Sequence, residues 1–255
     1  MKAKQKQILW SVFYPAVILI GAFALWEISA SLAGSEFIFP SVESTLKAFV
    51  SLLGKGETYA VLWGSVFRTL ISYGVSVLLA LICMLVSVQN LHFRKLITPV
   101  VNALRALPTM AVTLILAIWA GPRLAPVIVS LLVIMPTAYA SFYEGALAIE
   151  KDVLSMAQID GATKKDLALR FTLPLSVIYS RRSVSATLAL NLKLMVAAET
   201  LAGTARSIGH SMMISSIYFE TATLMALTVI TVFLSLLMQW GMYRLLVLIT
   251  PSTGE

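Results

Sequence analysis

Apolar residues run along this chain in blocks of about 20, the length a helix needs to cross a bilayer core about 30 Å thick. The blocks extend from Ile8 to Ser29, Trp63 to Val88, Ile97 to Trp119, Leu124 to Ala148, Ser183 to Leu201 and Leu224 to Ile249. Backbone groups in lipid must pair within a helix or around a closed barrel, and blocks this continuous lack the alternation of barrel strands. The pattern predicts an all-α integral membrane protein, a six-span helical bundle. Composition agrees. Of 255 residues 59% are hydrophobic and 12% charged, and the mean hydropathy is +0.90, whereas soluble domains carry about 25% charged residues.

The first block follows Lys2, Lys4 and Lys6 and precedes the small residues Ser29, Ala30 and Ser31, an order that also suits a cleaved signal peptide. Its apolar stretch from Ile8 to Trp26 exceeds the roughly 7 to 15 residues of a signal core, which favours a retained anchor. The single cysteine, Cys83, excludes an intrachain disulfide.

The net charge of +7 does not point to nucleic acid, because the positive residues lie between apolar blocks and not with aromatics on one soluble face. One set of tails, loops and span ends holds Lys2, Lys4, Lys6, Arg94, Lys95, Lys151, Lys164, Lys165, Arg170, Arg181, Arg182 and Arg244. The other set holds Lys47, Lys55, Arg68, Arg123 and Arg206, and Arg105 and Lys193 fall inside spans. Positive residues favour the cytoplasm, which predicts that both termini and the 149–182 segment face inward. Residues 1–62 then form an N-terminal span with an external loop, and 63–249 a transmembrane domain. In the external loop Ser41 can cap a short helix with Leu46, Phe49, Val50 and Leu53 on one face, either lying on the outer membrane surface or receiving an external partner.

The 149–182 segment is charged yet patterned. Asp152 can cap a first helix running to about Asp160, with Val153, Leu154 and Ala157 on one side; Gly161 allows a tight reversal. Thr163 and Asp166 then stand three apart as a variant capping box, opening a second helix with Leu167 and Phe171 at i, i+4. Pro174 is expected to end or kink it. From pattern alone the segment is either a solvated connector along the headgroups or a docking element.

Ala157, three residues, Gly161, nine residues, Phe171, one residue and Leu173-Pro174 resemble the E-A-A-x3-G-x9-I-x-L-P loop of permease subunits in binding-protein-dependent ABC importers. Ser155, Met156 and Phe171 depart from it, where the family has Glu, Ala and Ile. The IFPS, ALRALPTMA and VAAETLAG runs are similar to those of the nitrate, sulfonate and taurine group of type I ABC importer permeases. The resemblance covers roughly residues 34–248. It implies a cytoplasmic coupling-helix loop in which Ala157, Asp160, Gly161, Ala162, Leu167, Phe171, Leu173 and Pro174 contact an ATPase. It further implies a cytoplasmic ABC ATPase dimer, an extracytoplasmic substrate-binding protein, a permease homodimer and residence in a bacterial inner membrane. The chain has no G-x-x-x-x-G-K-[ST] loop, so no cofactor is expected on it, and ATP and Mg belong to the partner ATPase.

Ionisable residues at mid-bilayer are costly and face protein or water. On the fifth span Asn191, Met195 and Glu199 form one stripe, whereas Lys193 points about 200° away from Asn191. Two readings stand for Lys193 and Glu199: a structural polar contact, or a lining of the translocation path together with Asn191 and Arg105. Arg105 and Glu144 can pair across spans three and four, or Arg105 can snorkel. Pro108 and Pro136 are expected to kink their spans. Neither His92 nor His210 sits in H-E-x-x-H, which argues against an intramembrane enzyme. An ion-gradient-driven secondary transporter is the alternative function, though no convincing internal repeat supports it.

Overall fold

The computed structural model describes residues 2–250. Among them no strand occurs. In chain order the helices are α1 (Lys2–Ala33), α2 (Val42–Leu53), α3 (Gly56–Gln89), α4 (Leu91–Arg105), α5 (Thr109–Trp119), α6 (Ala125–Leu147) and α7 (Lys151–Ile159). A short α8 (Lys164–Asp166) leads through a π-helical turn (Leu167–Thr172) into α9 (Leu173–Ala202), followed by α10 (Ile208–Ile217) and α11 (Thr221–Ile249).

Among the described residues four helical runs are long and apolar enough to cross a membrane: α3, α6, the continuous run Lys164–Ala202, and α11. The third expected span is broken. α4 and α5 meet at 91° because Pro108 stands extended (φ −71°, ψ 99°) at the start of α5, where it offers no N–H to continue α4. Pro136, by contrast, leaves α6 unbroken and is buried in it. The expected first span lies on α1, of which Val17–Ala33 is the described apolar part.

Two compact units divide the chain. One comprises 1–59 with 211–230, the other 60–210 with 231–255. In the first unit Trp26 Nε1 donates to the Pro40 carbonyl (2.9 Å) and its ring meets Phe39 edge-on. The Thr221 hydroxyl donates to the Glu36 carbonyl (2.5 Å). Ser41 caps α2 as expected, its Oγ accepting from Ser44 N at 3.1 Å. Leu46, Val50 and Leu53 on α2 remain exposed, an apolar stripe on a short polar-flanked helix.

The second unit is organised around α6 and α9. Tyr73, Ala80, Met84, Ile134, Tyr139, Phe142, Val184 and Leu188 form its buried core. The two helices approach so closely at Gly145 that a Cβ there would stand 2.6 Å from the Ser176 carbonyl oxygen. Small residues permit such contact between membrane helices, where packing replaces the hydrophobic drive of water.

Two local expectations are corrected. The cap of α7 is Glu150, with Asp152 one turn-position inside the helix, where its charge still favours the N-terminal end. Pro174 does not end the second helix: it is the second residue of α9, inside the continuous run from Lys164. The π turn just before it widens the helix at the Arg170 carbonyl, the group a proline ring would otherwise crowd.

Candidate functional site

The charged segment is a folded element. Gly161 has φ +87°, a conformation costly for any residue with a Cβ, and its N–H donates to the Gln158 carbonyl (3.0 Å). Ala162 N–H donates to the Ala157 carbonyl at 3.0 Å, closing the end of α7. Beyond the corner the capping box is complete. Asp166 N–H donates to Thr163 Oγ1 (3.2 Å), while Thr163 N–H donates to Asp166 Oδ2 (3.2 Å) and its hydroxyl to the same oxygen (2.5 Å). These Thr163 bonds, hydroxyl first, hold the Asp166 carboxyl below its ordinary value of 3.8, with Arg170 and Lys165 adding to the effect. Arg170 Nε lies 3.3 Å from Asp166 Oδ1.

α7 has two faces. Ala157 is buried and Leu154 half-buried, and Leu154 borders a cleft of about 260 Å³ shared with Leu85, Val88, Leu167 and Ala168. Val153, expected on the side of Leu154 and Ala157, stands outward instead, because i+3 and i+6 along the helix bring it beside Met156 (65% exposed) and Ile159 (83% exposed), apolar side chains on an otherwise charged segment. Among the residues named for coupling, Asp160 and Gly161 are exposed at the corner and Ala162 is half-buried just after it, whereas Leu167, Phe171, Leu173 and Pro174 are half-buried along the second helix. The outward row was not singled out from the sequence. Its signal was available, since Met156 and Ile159 interrupt a charged segment at helical spacing.

Two buried polar clusters join α9 to its neighbours. Asn191 is fully buried and donates through Nδ2 to the Thr69 carbonyl and to Ser72 Oγ, each at 3.0 Å. The Ser130 hydroxyl donates to Asn191 Oδ1 and stands 2.9 Å from Ser72 Oγ. One amide thus ties α3, α6 and α9 together. About two turns further on, Glu199 is also fully buried. Its Oε1 accepts from Arg68 Nε (2.8 Å) and Nη2 (2.7 Å), and its Oε2 accepts from the Ser65 hydroxyl (2.7 Å) and Gly209 N–H (3.4 Å). Ser65 Oγ in turn accepts from Ile208 N–H at 2.9 Å. A carboxylate out of water needs such a set of donors, and the bidentate guanidinium supplies the opposite charge.

Asn191 and Glu199 therefore lie inside the chain, with Met195 between them on the same buried stripe. Lys193 is exposed on the opposite side. Arg105 is exposed at the end of α4, beside the break, and Glu144 is exposed on α6. Among the described residues no ion pair joins Arg105 to Glu144 or Lys193 to Glu199. No group of three or more His, Cys, Asp or Glu side chains among them could hold a metal ion.

Long apolar helices, a broken span and a capped helix pair on a charged segment define a multi-pass membrane protein. The chain belongs to the family of binding-protein-dependent transport system inner membrane components, which matches residues 76–251, and is thereby a permease subunit of a binding-protein-dependent ABC importer. It is 24% identical over 218 residues to a probable ABC transporter permease protein of Brucella melitensis, covering 84% of this chain and 88% of that one. It is 22% identical over 161 residues to the formylaminopyrimidine transport permease protein of Halalkalibacterium halodurans, covering 63% of this chain and 64% of that one. Two solved structures share the fold at 16% identity and a TM-score of 0.59. The inward-facing MetNI methionine ABC transporter covers 75% of this chain and 97% of its own. A bacterial alginate ABC transporter in complex with an alginate-bound periplasmic protein covers 97% and 96%.

Proposed function

We propose that this permease subunit carries a small solute, handed over by an extracytoplasmic binding protein, and that a cytoplasmic ABC ATPase dimer drives it by docking on residues 152–174. The observation that carries the reading is the outward row Val153, Met156 and Ile159. An apolar row on a charged surface is a site for a protein partner, and α7 is anchored from behind by Leu154 and Ala157. ATP and Mg bind on that partner, whose two conformations move the capped helix pair as one body and bias the spans. The second helix runs unbroken into α9, so a displacement at Thr163 is delivered directly to the span that carries Asn191, Lys193 and Glu199.

Two copies of the chain enclose the path, to which Lys193 and Arg105 contribute exposed charges while Asn191 and Glu199 hold α9 in place from within. The excess of Lys and Arg on one set of loops supports a bacterial inner-membrane subunit with both termini cytoplasmic. The IFPS, ALRALPTMA and VAAETLAG runs support a place beside the nitrate, sulfonate and taurine permeases, and the Halalkalibacterium relative adds a formylaminopyrimidine to the candidate solutes. Family membership does not favour the ion-gradient alternative.

Docking is tested with Ile159→Asp and Met156→Asp in the full chain co-expressed with its ATPase. Both variants should insert in the membrane at the parental level and lose the ATPase on purification. Retention of the ATPase by both would refute docking through this row.

A further inference from the structure

The faces that the long helices leave open differ in chemistry. α3 exposes Phe67, Ile71, Val75, Leu78 and Ile82, and α11 exposes Val232, Phe233, Leu236 and Leu237, as surfaces in contact with lipid tails should. The open face of α9 is unlike either. It reads Tyr179, Arg182, Ser183, Ala186, Leu190, Lys193 and Ala197, all exposed, with Leu190 the only large apolar side chain beyond Tyr179 at its start. Arg182 and Lys193 lie eleven residues apart, which at about 100° per residue leaves them about 20° apart around the helix and about 16 Å apart along it. No acidic residue occurs between Leu173 and Ala198, and the acid that follows, Glu199, is enclosed on the other side with Arg68. At its Arg182 end the face opens into a cleft of about 510 Å³ shared with Gln239, Trp240 and Tyr243.

A lysine at mid-span with no internal counter-charge belongs against water or a polar partner, since lipid exposure there costs about 2.5–3.5 kcal/mol on insertion scales. We infer that the open face of α9 lines an aqueous solute path, and that Lys193 with Arg182 gives that path a positive wall that favours an anionic solute. The inference rests on the proposed importer path and adds the charge class of what passes along it. A carboxylate, sulfonate or inorganic oxyanion meets an ammonium and a guanidinium in turn on this wall, while a cation is repelled at both positions.

Thiol labelling tests the wall without the solute being known. In a Cys83→Ser background, Ala197→Cys lies one turn from Lys193 and Ala186→Cys one turn from Arg182, with Leu78→Cys on α3 as the lipid-facing reference. The chain, in complex with its ATPase in proteoliposomes, is treated with anionic methanethiosulfonate ethylsulfonate or cationic methanethiosulfonate ethyltrimethylammonium. Each rate is divided by that of a free thiol with the same reagent. Both α9 cysteines should react and Leu78→Cys should not, and Ala197→Cys should prefer the anion by about tenfold, the effect of a unit charge about 6 Å away at intermediate dielectric. Lys193→Gln should abolish the preference at Ala197→Cys, Lys193→Glu reverse it and Lys193→Arg retain it. Cysteines on α9 as unreactive as Leu78→Cys would overturn the path itself. Reactive cysteines with no preference, or one that Lys193→Gln leaves unchanged, would overturn the anionic class and leave the path standing.

Discussion

The pair formed by Arg68 and Glu199 shows what one residue contributes. With Glu199 fully buried and Arg68 about one-fifth exposed, loss of the guanidinium strands a carboxylate among backbone and hydroxyl donors alone. Breaking a buried pair from one side costs about 3–5 kcal/mol. Arg68→Ala should therefore lower the melting temperature of the purified subunit strongly, and adding Glu199→Gln should restore part of the loss by removing the stranded charge; differential scanning fluorimetry in detergent reads both. An Arg68→Ala chain as stable as the parent would mean the pair is replaceable by water. The sequence placed Glu199 correctly on a stripe with Asn191 and Met195 but counted Arg68 among the loop-flanking positives, because their 131-residue separation leaves no local signal. Short-range chemistry was legible. Thr163 and Asp166 form the expected box, and its pH dependence follows from the lowered Asp166 carboxyl. A depressed acid stabilises fully above its ordinary value of 3.8 and loses that contribution as pH falls through the lower folded value. The cap should thus be intact at neutral pH, and Asp166→Asn should remove the charged component of the box there, seen as faster amide exchange over residues 164–168.

At the scale of elements, the corner at Gly161 joins two short helices that the proposed coupling requires to move together. The site is open, with no atom within 4 Å of a built Cβ, so a substitution there acts through backbone strain alone. A β-branched residue at φ +87° is disfavoured by about 1–3 kcal/mol. Gly161→Val should leave insertion and ATPase binding in place while lowering uptake relative to ATP hydrolysed, measured side by side in proteoliposomes; an unchanged ratio would show that a rigid corner is not needed. Which elements the sequence disclosed follows from the range of the forces that make them. Long apolar runs and the Ser41 and Thr163 caps are set by neighbours a few residues away and were legible. The bend at Pro108 was expected only as a kink, and the unbroken passage through Pro174 was not expected, because a π turn depends on how α9 packs and carries no composition signal. α10 escaped notice for a related reason: its residues stand between two apolar runs, and Ser207, whose Oγ accepts from His210 N–H at 2.9 Å, reads as an ordinary loop serine.

For the whole molecule, orientation decides whether the pieces can work together. The proposed docking row on α7 reaches an ATPase only if the 149–182 segment is cytoplasmic, and α2 meets a binding protein only if the 34–62 stretch is on the other side. The charge count bears on both at once: Lys151, Lys164, Lys165, Arg170, Arg181 and Arg182 crowd the first segment, while Lys47 and Lys55 are the basic residues of the second. On α2 even that charge is offset, since Lys47 Nζ lies 2.6 Å from Glu43, and offset positives weaken little of an orientation rule that counts Lys and Arg alone. The proposed orientation requires an odd number of crossings between residues 55 and 164, and α3, the bent pair α4 with α5, and α6 can supply three. The bent pair is the decisive element: if α4 and α5 enter and leave on one side as a re-entrant hairpin, the count becomes even and the two segments share a face. Single cysteines at Lys55 and Lys164 in a Cys83→Ser background settle it with a membrane-impermeant maleimide. Intact spheroplasts should label Lys55→Cys alone, and inside-out vesicles Lys164→Cys alone. Labelling of both from the same side would make α4 and α5 a re-entrant hairpin and would remove the coupling row from the ATPase or α2 from the binding protein.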